Sequence, residues 1–357
     1  MTRGPAQIDR TLWVITRKHP PSVGGMEELS YRVTCALAER RAITVIKWGG
    51  SQAALVWFLP YALLRVCCGL IRRRISVLLV GDPVLAIAGA VAHRFGVPVM
   101  TVVHGLDIAW PNPLYQAYLR AFFFGRCSVY VCISSYVSDL VRARHIPESA
   151  IEVVPVGISP QPAASPAEFE AEPLLLFVGR LVQRKGVAWF VRAVLPALVE
   201  RFPRLGFVVA GVGPERDALA EAARRAGVAS RVHVLGAVSH ETKSMLYARC
   251  DLVVMPNLTI EGDVEGFGLV ALEASAAGKP VAAADIEGLR DAVETGRNGW
   301  RFPSGDAAAW IDGLTAALDD RKALVALGAE ARTFATRFGW DIIGERYAAI
   351  AARLASQ

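Results

Sequence analysis

With 357 residues, 53% of them hydrophobic and 20% charged, the chain has enough apolar material for two packed domains rather than one. A formal charge of +6 favours anionic partners, but no RNP, zinc-finger or basic-region pattern accompanies it, which excludes nucleic acid. The six cysteines form no C-x-x-C pair and lie mostly in apolar runs, so reduced thiols are expected rather than disulfides or a zinc site.

In chain order, Met1–Arg10 is polar and Thr11–Thr16 is too short for a signal peptide, so it reads as a first strand and the protein is expected to be cytoplasmic. A helix near Glu27–Arg40 leads into a strand at Ile43–Trp48. Ala53 to Leu70 is rich in Leu, Val, Trp and Phe, but Pro60 and Arg65 interrupt it. Its uncharged part falls short of the roughly 20 apolar residues that span a bilayer. Pro60 argues against one uninterrupted helix, and a buried or interfacial amphipathic segment is expected. Arg72, Arg73 and Arg74 follow it, with Arg142, Arg144 and His145 further on, which makes the region a candidate for peripheral contact with an anionic membrane surface. A solvated helix end is the alternative.

Strands at Val77–Val80, Val99–Val103, Val129–Ile133 and Ile151–Val154 then alternate with helices near Leu85–Phe95, Leu114–Phe124 and Val137–Arg144. The Pro- and Ala-rich stretch Ser159–Pro166 has no apolar period and marks a boundary between domains 1–158 and 159–340. Beyond it, strands are expected at Leu174–Val178, Gly206–Ala210, Val232–Leu235, Leu252–Met255 and Pro280–Ala284. A helical pattern covers Val187–Leu198, and helices at Ala307–Leu318, Lys322–Phe338 and Asp341–Ala355 end the chain. Strands alternating with helices throughout predict an α/β protein with two doubly wound sheets.

Chemistry concentrates in the second half. Glu265 and Glu273 stand eight positions apart in Glu-Gly-Phe-Gly-Leu-Val-Ala-Leu-Glu, between the Leu252–Met255 strand and a helix that opens near Phe267. Free N–H groups at a helix start, with Gly266 and Gly268 allowing close approach, suit a phosphate-sized anion at Gly268–Leu269. Upstream, Gly179-Arg180 follows a strand, and Lys185-Gly186 precedes a helical pattern. An arginine fork and a lysine point charge complement a diphosphate, while the two carboxylates accept bonds from sugar and ribose hydroxyls. Gly211-Val212-Gly213 lacks the third glycine of a dinucleotide fingerprint, since position 216 is Arg216, and reads as a tight strand-to-helix turn.

The spacing Gly179-Arg180-(x)4-Lys185-Gly186 with Glu265-Gly-Phe-Gly-(x)4-Glu273 resembles the donor-site signature of retaining GT-B glycosyltransferases of family GT4. Gly24-Gly25-Met26-Glu27 resembles that family's N-terminal glycine loop, and His104-Gly105 its active-site histidine turn. Val154-Pro155-Val156-Gly157-Ile158, Gly211–Glu215 and Val232–Gly236 match further segments, so the resemblance covers most of the chain. It implies two Rossmann-like domains facing across a cleft, with the helix in 341–357 crossing back onto the N-terminal one. It implies a nucleotide diphosphate sugar as donor, a glycan, lipid-linked or small-molecule acceptor, and retention of anomeric configuration.

On this reading Arg180 and Lys185 stabilise the departing diphosphate. Glu265 binds the sugar, Glu273 the ribose, and backbone near Leu235 the base. Gly24 and Gly25 approach phosphate or acceptor closely because neither carries a side chain. The resemblance implies that His104 contacts the transferred sugar. Asp107, Trp110 and Tyr115, with Asn112, are candidates for shaping the acceptor site. No Asp-x-Asp triplet occurs, and no metal or other cofactor is expected. Glu261–Val264 adds acidity ahead of the motif, and Glu287 and Asp291 stand without matching the usual family spacing, so neither receives a role. Two alternatives are a nucleotide-sugar epimerase or hydrolase, and a non-catalytic subunit of a glycan assembly complex.

Overall fold

The structure is a computed structural model that describes residues 10–22, 24–51, 54–160 and 172–356. The extreme N-terminus, Ala53 and residues 161–166 of the expected connector lie outside the described residues. The chain divides into two compact units, Met1–Gly157 with Trp340–Gln357, and Ile158–Gly339.

In the first unit, strands β1 (Thr11–Thr16), β2 (Ile43–Lys47), β3 (Ile75–Val80), β4 (Val99–Val103), β5 (Val129–Cys132) and β6 (Ile151–Val153) form one parallel sheet in the order β2-β1-β3-β4-β5-β6. Its helices are α1 (Gly25–Ala38), α2 (Leu55–Ile71), α3 (Ala86–Arg94), α4 (Leu106–Ala109), α5 (Pro113–Phe122) and α6 (Ser135–Arg142). Strands covered on both faces read as apolar runs, which is why Val-Leu-Leu-Val at 77–80 and Val-Met-Thr-Val-Val were legible, while β3 begins two residues earlier, at Ile75. Trp13, Ile15, Leu78 and Val80 pack with Phe58, Ala62, Val66 and Leu70 of α2 in the core.

The second unit repeats the plan. Strands β7 (Leu174–Val178), β8 (Gly206–Ala210), β9 (Val232–Gly236), β10 (Leu252–Met255), β11 (Val281–Ala284) and β12 (Gly299–Phe302) lie parallel in the order β12-β11-β10-β7-β8-β9. The helices are α7 (Val187–Ala193), α8 (Leu195–Arg201), α9 (Arg216–Arg225), α10 (His240–Arg249), α11 (Leu269–Ala276), α12 (Leu289–Ala292), α13 (Ala307–Asp319) and α14 (Arg321–Ala335). The last helix, α15 (Trp340–Ala355), belongs to the first unit. It lies close along α1, where a Cβ on Gly344 would stand 2.5 Å from Ala36 Cβ, and Arg353 pairs with Glu152 at 2.7 Å.

Three expectations are corrected. The 55–71 helix runs through Pro60 without a break. Pro60 is its sixth residue, so the missing N–H removes one bond near the helix start, and the ring faces solvent. The Val187–Leu198 pattern is two helices that meet at Val194, because Pro196 opens the second and cannot continue the first. The helix carrying Glu273 begins at Leu269 instead of Phe267, with Gly268 as its left-handed N-cap at φ 91°.

Candidate active site

In a doubly wound sheet, ligands bind outside the carboxyl ends of the strands where the winding reverses. The second sheet reverses between β7 and β10, so the segments after Val178 and Met255 border that crevice. Lys185 and Glu265 come from these two segments, and Lys185 Nζ contacts Glu265 Oε2 directly.

Local backbone geometry explains the meeting. After β7 the chain forms a 3₁₀ turn over Gln183–Lys185, then Gly186 adopts φ 64° and starts α7. A Cβ at Gly186 would lie 1.9 Å from the Pro256 carbonyl oxygen, so only glycine lets the turn rest on the exit of β10. The Leu258 N–H donates to the Arg184 carbonyl at 2.8 Å and fastens the two segments. Arg184 and Lys185 are thereby both buried, whereas Arg180 is exposed and in no ion pair among the described residues.

Every side-chain donor that reaches the Glu265 carboxylate lands on Oε2: Arg184 Nη1 at 2.5 Å, Asn257 Nδ2 at 2.9 Å, and Lys185 Nζ. Oε1 has no protein partner among the described residues. Burial by itself pushes this carboxyl up, but Lys185 and Arg184 outweigh it and hold Glu265 at about 2, so it stays ionised. Arg184 Nε also lies 2.9 Å from Asp263 Oδ1, an ion-pair distance without a well-directed hydrogen bond. Glu287 accepts the Glu265 main-chain N–H through Oε2.

Glu273 faces a different neighbour, α10. Its Oε1 accepts from Lys243 Nζ at 2.7 Å and its Oε2 from the Tyr247 hydroxyl at 3.0 Å. Gly211 and Gly213 are explained by internal packing, since a Cβ on either would meet the carbonyl of Gly179 or Leu181 at 1.7 or 2.1 Å. Gly179 itself adopts φ 150°, and the space beside its α-carbon is bounded by Phe177 and the Lys185 stem. Phe267 is buried against Phe338 at 6.2 Å between ring centroids, so only its backbone is available to a ligand. The Gly266 carbonyl presses on Gly288, the Leu289 side chain would stand 2.4 Å from a Cβ on Gly268, and Leu235 stands exposed on edge strand β9.

The first sheet reverses between β1 and β3. There Arg17 Nε donates to the buried Asp82 Oδ1 at 3.0 Å. His104, at the end of β4, is buried with Nε2 3.1 Å from the Gly81 carbonyl. A carbonyl only accepts, so this contact puts the ring proton on Nε2. Asp107 reaches back from α4 to accept the His104 main-chain N–H at 3.0 and 3.1 Å. Burial raises the Asp107 carboxyl above its ordinary value, against the opposing effect of His104. The Tyr115 hydroxyl donates to the Asp107 carbonyl at 2.8 Å, and the Trp110 ring lies tilted against the Tyr115 ring, 5.5 Å between centroids. Gly24 precedes α1 beside the buried Glu27, which pairs with Lys18 at 3.0 Å, and Gly25 is the first residue of that helix.

Residues 12–161 match the family model described as Glycosyltransferase Family 4, and residues 172–320 match that of Glycosyl transferases group 1. A GDP-mannose-dependent alpha-(1-6)-phosphatidylinositol monomannoside mannosyltransferase of Mycobacterium tuberculosis is 31% identical over 265 residues, covering 70% of this chain and 68% of that one. The chain belongs to glycosyltransferase family 4. As a family 4 glycosyltransferase it is also 37% identical over 218 residues to a D-inositol 3-phosphate glycosyltransferase of Nocardia farcinica, covering 57% of this chain and 47% of the relative. Among solved structures, a sucrose-phosphate synthase from Thermosynechococcus elongatus superposes with a TM-score of 0.78 at 19% identity, covering 97% of this chain and 99% of that chain. The Anabaena protein Alr3699/HepE, solved with UDP and glucose, superposes at 0.73 and 19% identity over 98% and 100% of the two chains. These two share the GT-B fold.

Of the residues singled out in the sequence of this transferase, Lys185 and Glu265 touch, with Gly179 alongside. Glu273 sits on α11 against α10. Arg184, Asn257, Glu287 and Lys243 carry no role in the sequence reading, and Asp263 enters it only through the acidity of the Glu261–Val264 loop. Lys243 and Tyr247 stand four apart on one helix, a spacing that places both on one face and could have pointed to a shared partner. No group of three His, Cys, Asp or Glu side chains among the described residues is arranged to hold a metal ion.

Proposed function

We propose that this glycosyltransferase moves a sugar from a UDP- or GDP-sugar to a glycan, lipid-linked or small-molecule acceptor, retaining the anomeric configuration and using no metal. The observation that carries the reading is the contact of Lys185 with Glu265 at the reversal point of the second sheet. One ammonium borders both the place for a diphosphate and the carboxylate for the sugar. The anchored Oε2 leaves Glu265 Oε1 to accept sugar hydroxyls.

As the bond from the anomeric carbon to the diphosphate breaks, negative charge grows on the leaving oxygens. Lys185, Arg180 and the start of α11 are fixed charges and dipoles that stabilise it. The acceptor hydroxyl attacks on the same face and its proton passes to the departing phosphate. Glu273, held by Lys243 and Tyr247, receives the ribose hydroxyls, and main chain near Leu235 meets the base. On this reading His104 contacts the transferred sugar, Asp107, Trp110 and Tyr115 serve the acceptor, and Gly24 and Gly25, without side chains, leave room for phosphate or acceptor. The mycobacterial relative's GDP-mannose dependence supports a guanosine donor as the first to test. Incubating the purified protein with UDP- and GDP-sugars, with and without lipid-linked and soluble acceptors, tests the reading. An acceptor-dependent glycoside of retained configuration supports it, and donor turnover indifferent to every acceptor contradicts it.

The same reading includes peripheral contact with an anionic membrane through α2. Trp57 is 78% exposed, and with Tyr61, Leu64 and Ile71 it forms an apolar stripe at helical spacing on the solvent side. Arg65 and Arg72–Arg74 border that stripe, the charge pattern that anionic lipid attracts. No helix among the described residues is long and apolar enough to cross a membrane. Sedimentation with phosphatidylglycerol vesicles, lost on Trp57→Ala or in phosphatidylcholine alone, is the expected result.

A further inference from the structure

Glu287 is one of three non-glycine residues with positive φ among the described residues, at 46°. A glutamate there costs on the order of 1 kcal/mol that glycine would avoid, so its side chain must return something for the conformation to persist. What it does is local and specific. Its Oε2 accepts the main-chain N–H of Glu265, while the N–H of the next residue, Gly288, donates to the Glu265 carbonyl at 3.1 Å. The two bonds grip the Glu265 peptide from both sides. The grip is close because a Cβ on Gly288 would lie 2.2 Å from the Gly266 carbonyl oxygen, so the turn after β11 rests directly on the loop before α11.

The grip matters because Glu265 is a two-sided group. Its Oε2 is fixed by three donors and its Oε1 is left open, so the position of Oε1 depends on where the backbone holds the side chain. Arg184 anchors the carboxylate and Glu287 anchors the peptide beneath it. We propose that Glu287 is a positioning residue for sugar transfer, holding the Glu265 main chain from its left-handed turn so that Glu265 Oε1 meets the sugar hydroxyls of the donor. This rests on the reading of Glu265 as the sugar ligand.

The test compares Glu287→Gly, Glu287→Gln and Glu265→Gln in the full-length protein. Glycine keeps the backbone turn and removes the clamp. Glutamine keeps an oxygen that can accept the Glu265 N–H. The expected result for Glu287→Gly is unchanged or raised thermal stability and unchanged affinity for UDP and GDP. Its kcat on the sugar donor falls on the order of ten- to a hundredfold, the scale of a misplaced group near the reacting centre. Glu287→Gln should recover most of that loss. Wild-type kcat in Glu287→Gly, a loss that glutamine does not recover, or equal losses in bare nucleotide affinity would overturn the proposal. If Glu265→Gln itself leaves turnover of the sugar donor unchanged, the reading of Glu265 fails first and takes this inference with it.

Discussion

Replacing Glu265 with glutamine removes one negative charge from a cluster that holds two buried cations. In the folded protein this carboxyl lies at about 2 against an ordinary 4.5. At about 1.4 kcal/mol per pH unit, that depression corresponds to about 3 kcal/mol of stability at neutral pH, with Glu265 nearly buried and little screened. The sign follows from proton uptake. A lowered folded value means the unfolded chain binds the proton first, so the contribution is complete above about 4.5 and is lost as pH falls towards about 2. Glu265→Gln should therefore destabilise the second unit by about 3 kcal/mol at pH 7, and the gap should narrow steadily below pH 4.5. Hydrogen exchange read on peptides from β10 to α11 measures that unit by itself. Equal stability at pH 7, or a gap that does not change with pH, would refute the claim that Arg184 and Lys185 are what keep this carboxylate charged.

Other substitutions probe neighbouring parts. Lys243→Met leaves Glu273 with Tyr247 alone and should cost about 1.5–3 kcal/mol, the worth of a hydrogen bond to a charged group, measured by chemical denaturation. Weaker UDP or GDP binding by calorimetry should accompany it. Gly186→Ala adds a methyl group 1.9 Å from the Pro256 carbonyl at a left-handed position; a loss of about 2–5 kcal/mol in thermal unfolding is expected, and donor turnover should fall with it. Tyr115→Phe removes a 2.8 Å bond to the Asp107 carbonyl and should cost about 1 kcal/mol, with acceptor KM raised and nucleotide affinity unchanged.

Much of the architecture was legible because strands covered on both faces leave unbroken apolar runs, as at Leu174–Val178 and Leu252–Met255. Edge strand β12 was not, since Gly-Trp-Arg-Phe carries a charge and a glycine and three of its four residues are only partly buried. Pro60 misled because a proline near a helix start costs less than one in its middle. At the site, spacing drew Lys185 and Glu265 together but could not say which arginine turns inward. That choice belongs to the 3₁₀ turn over Gln183–Lys185, which buries Arg184 and leaves Arg180 outside. Glu287 was illegible for a related reason. Its role depends on a φ of 46° and on a turn from β11 resting on the β10 loop, neither of which a linear pattern of charges reports.

The most direct test of the account is a calorimetric titration of UDP and GDP, and of the corresponding sugar donors, into wild type, Arg180→Ala and Lys185→Ala, each with and without EDTA. If side-chain cations neutralise the diphosphate, wild-type affinity is the same in chelator, and each alanine variant binds about tenfold or more weakly. Affinity that vanishes in EDTA and returns with manganese, or that is indifferent to the loss of Lys185, would contradict it.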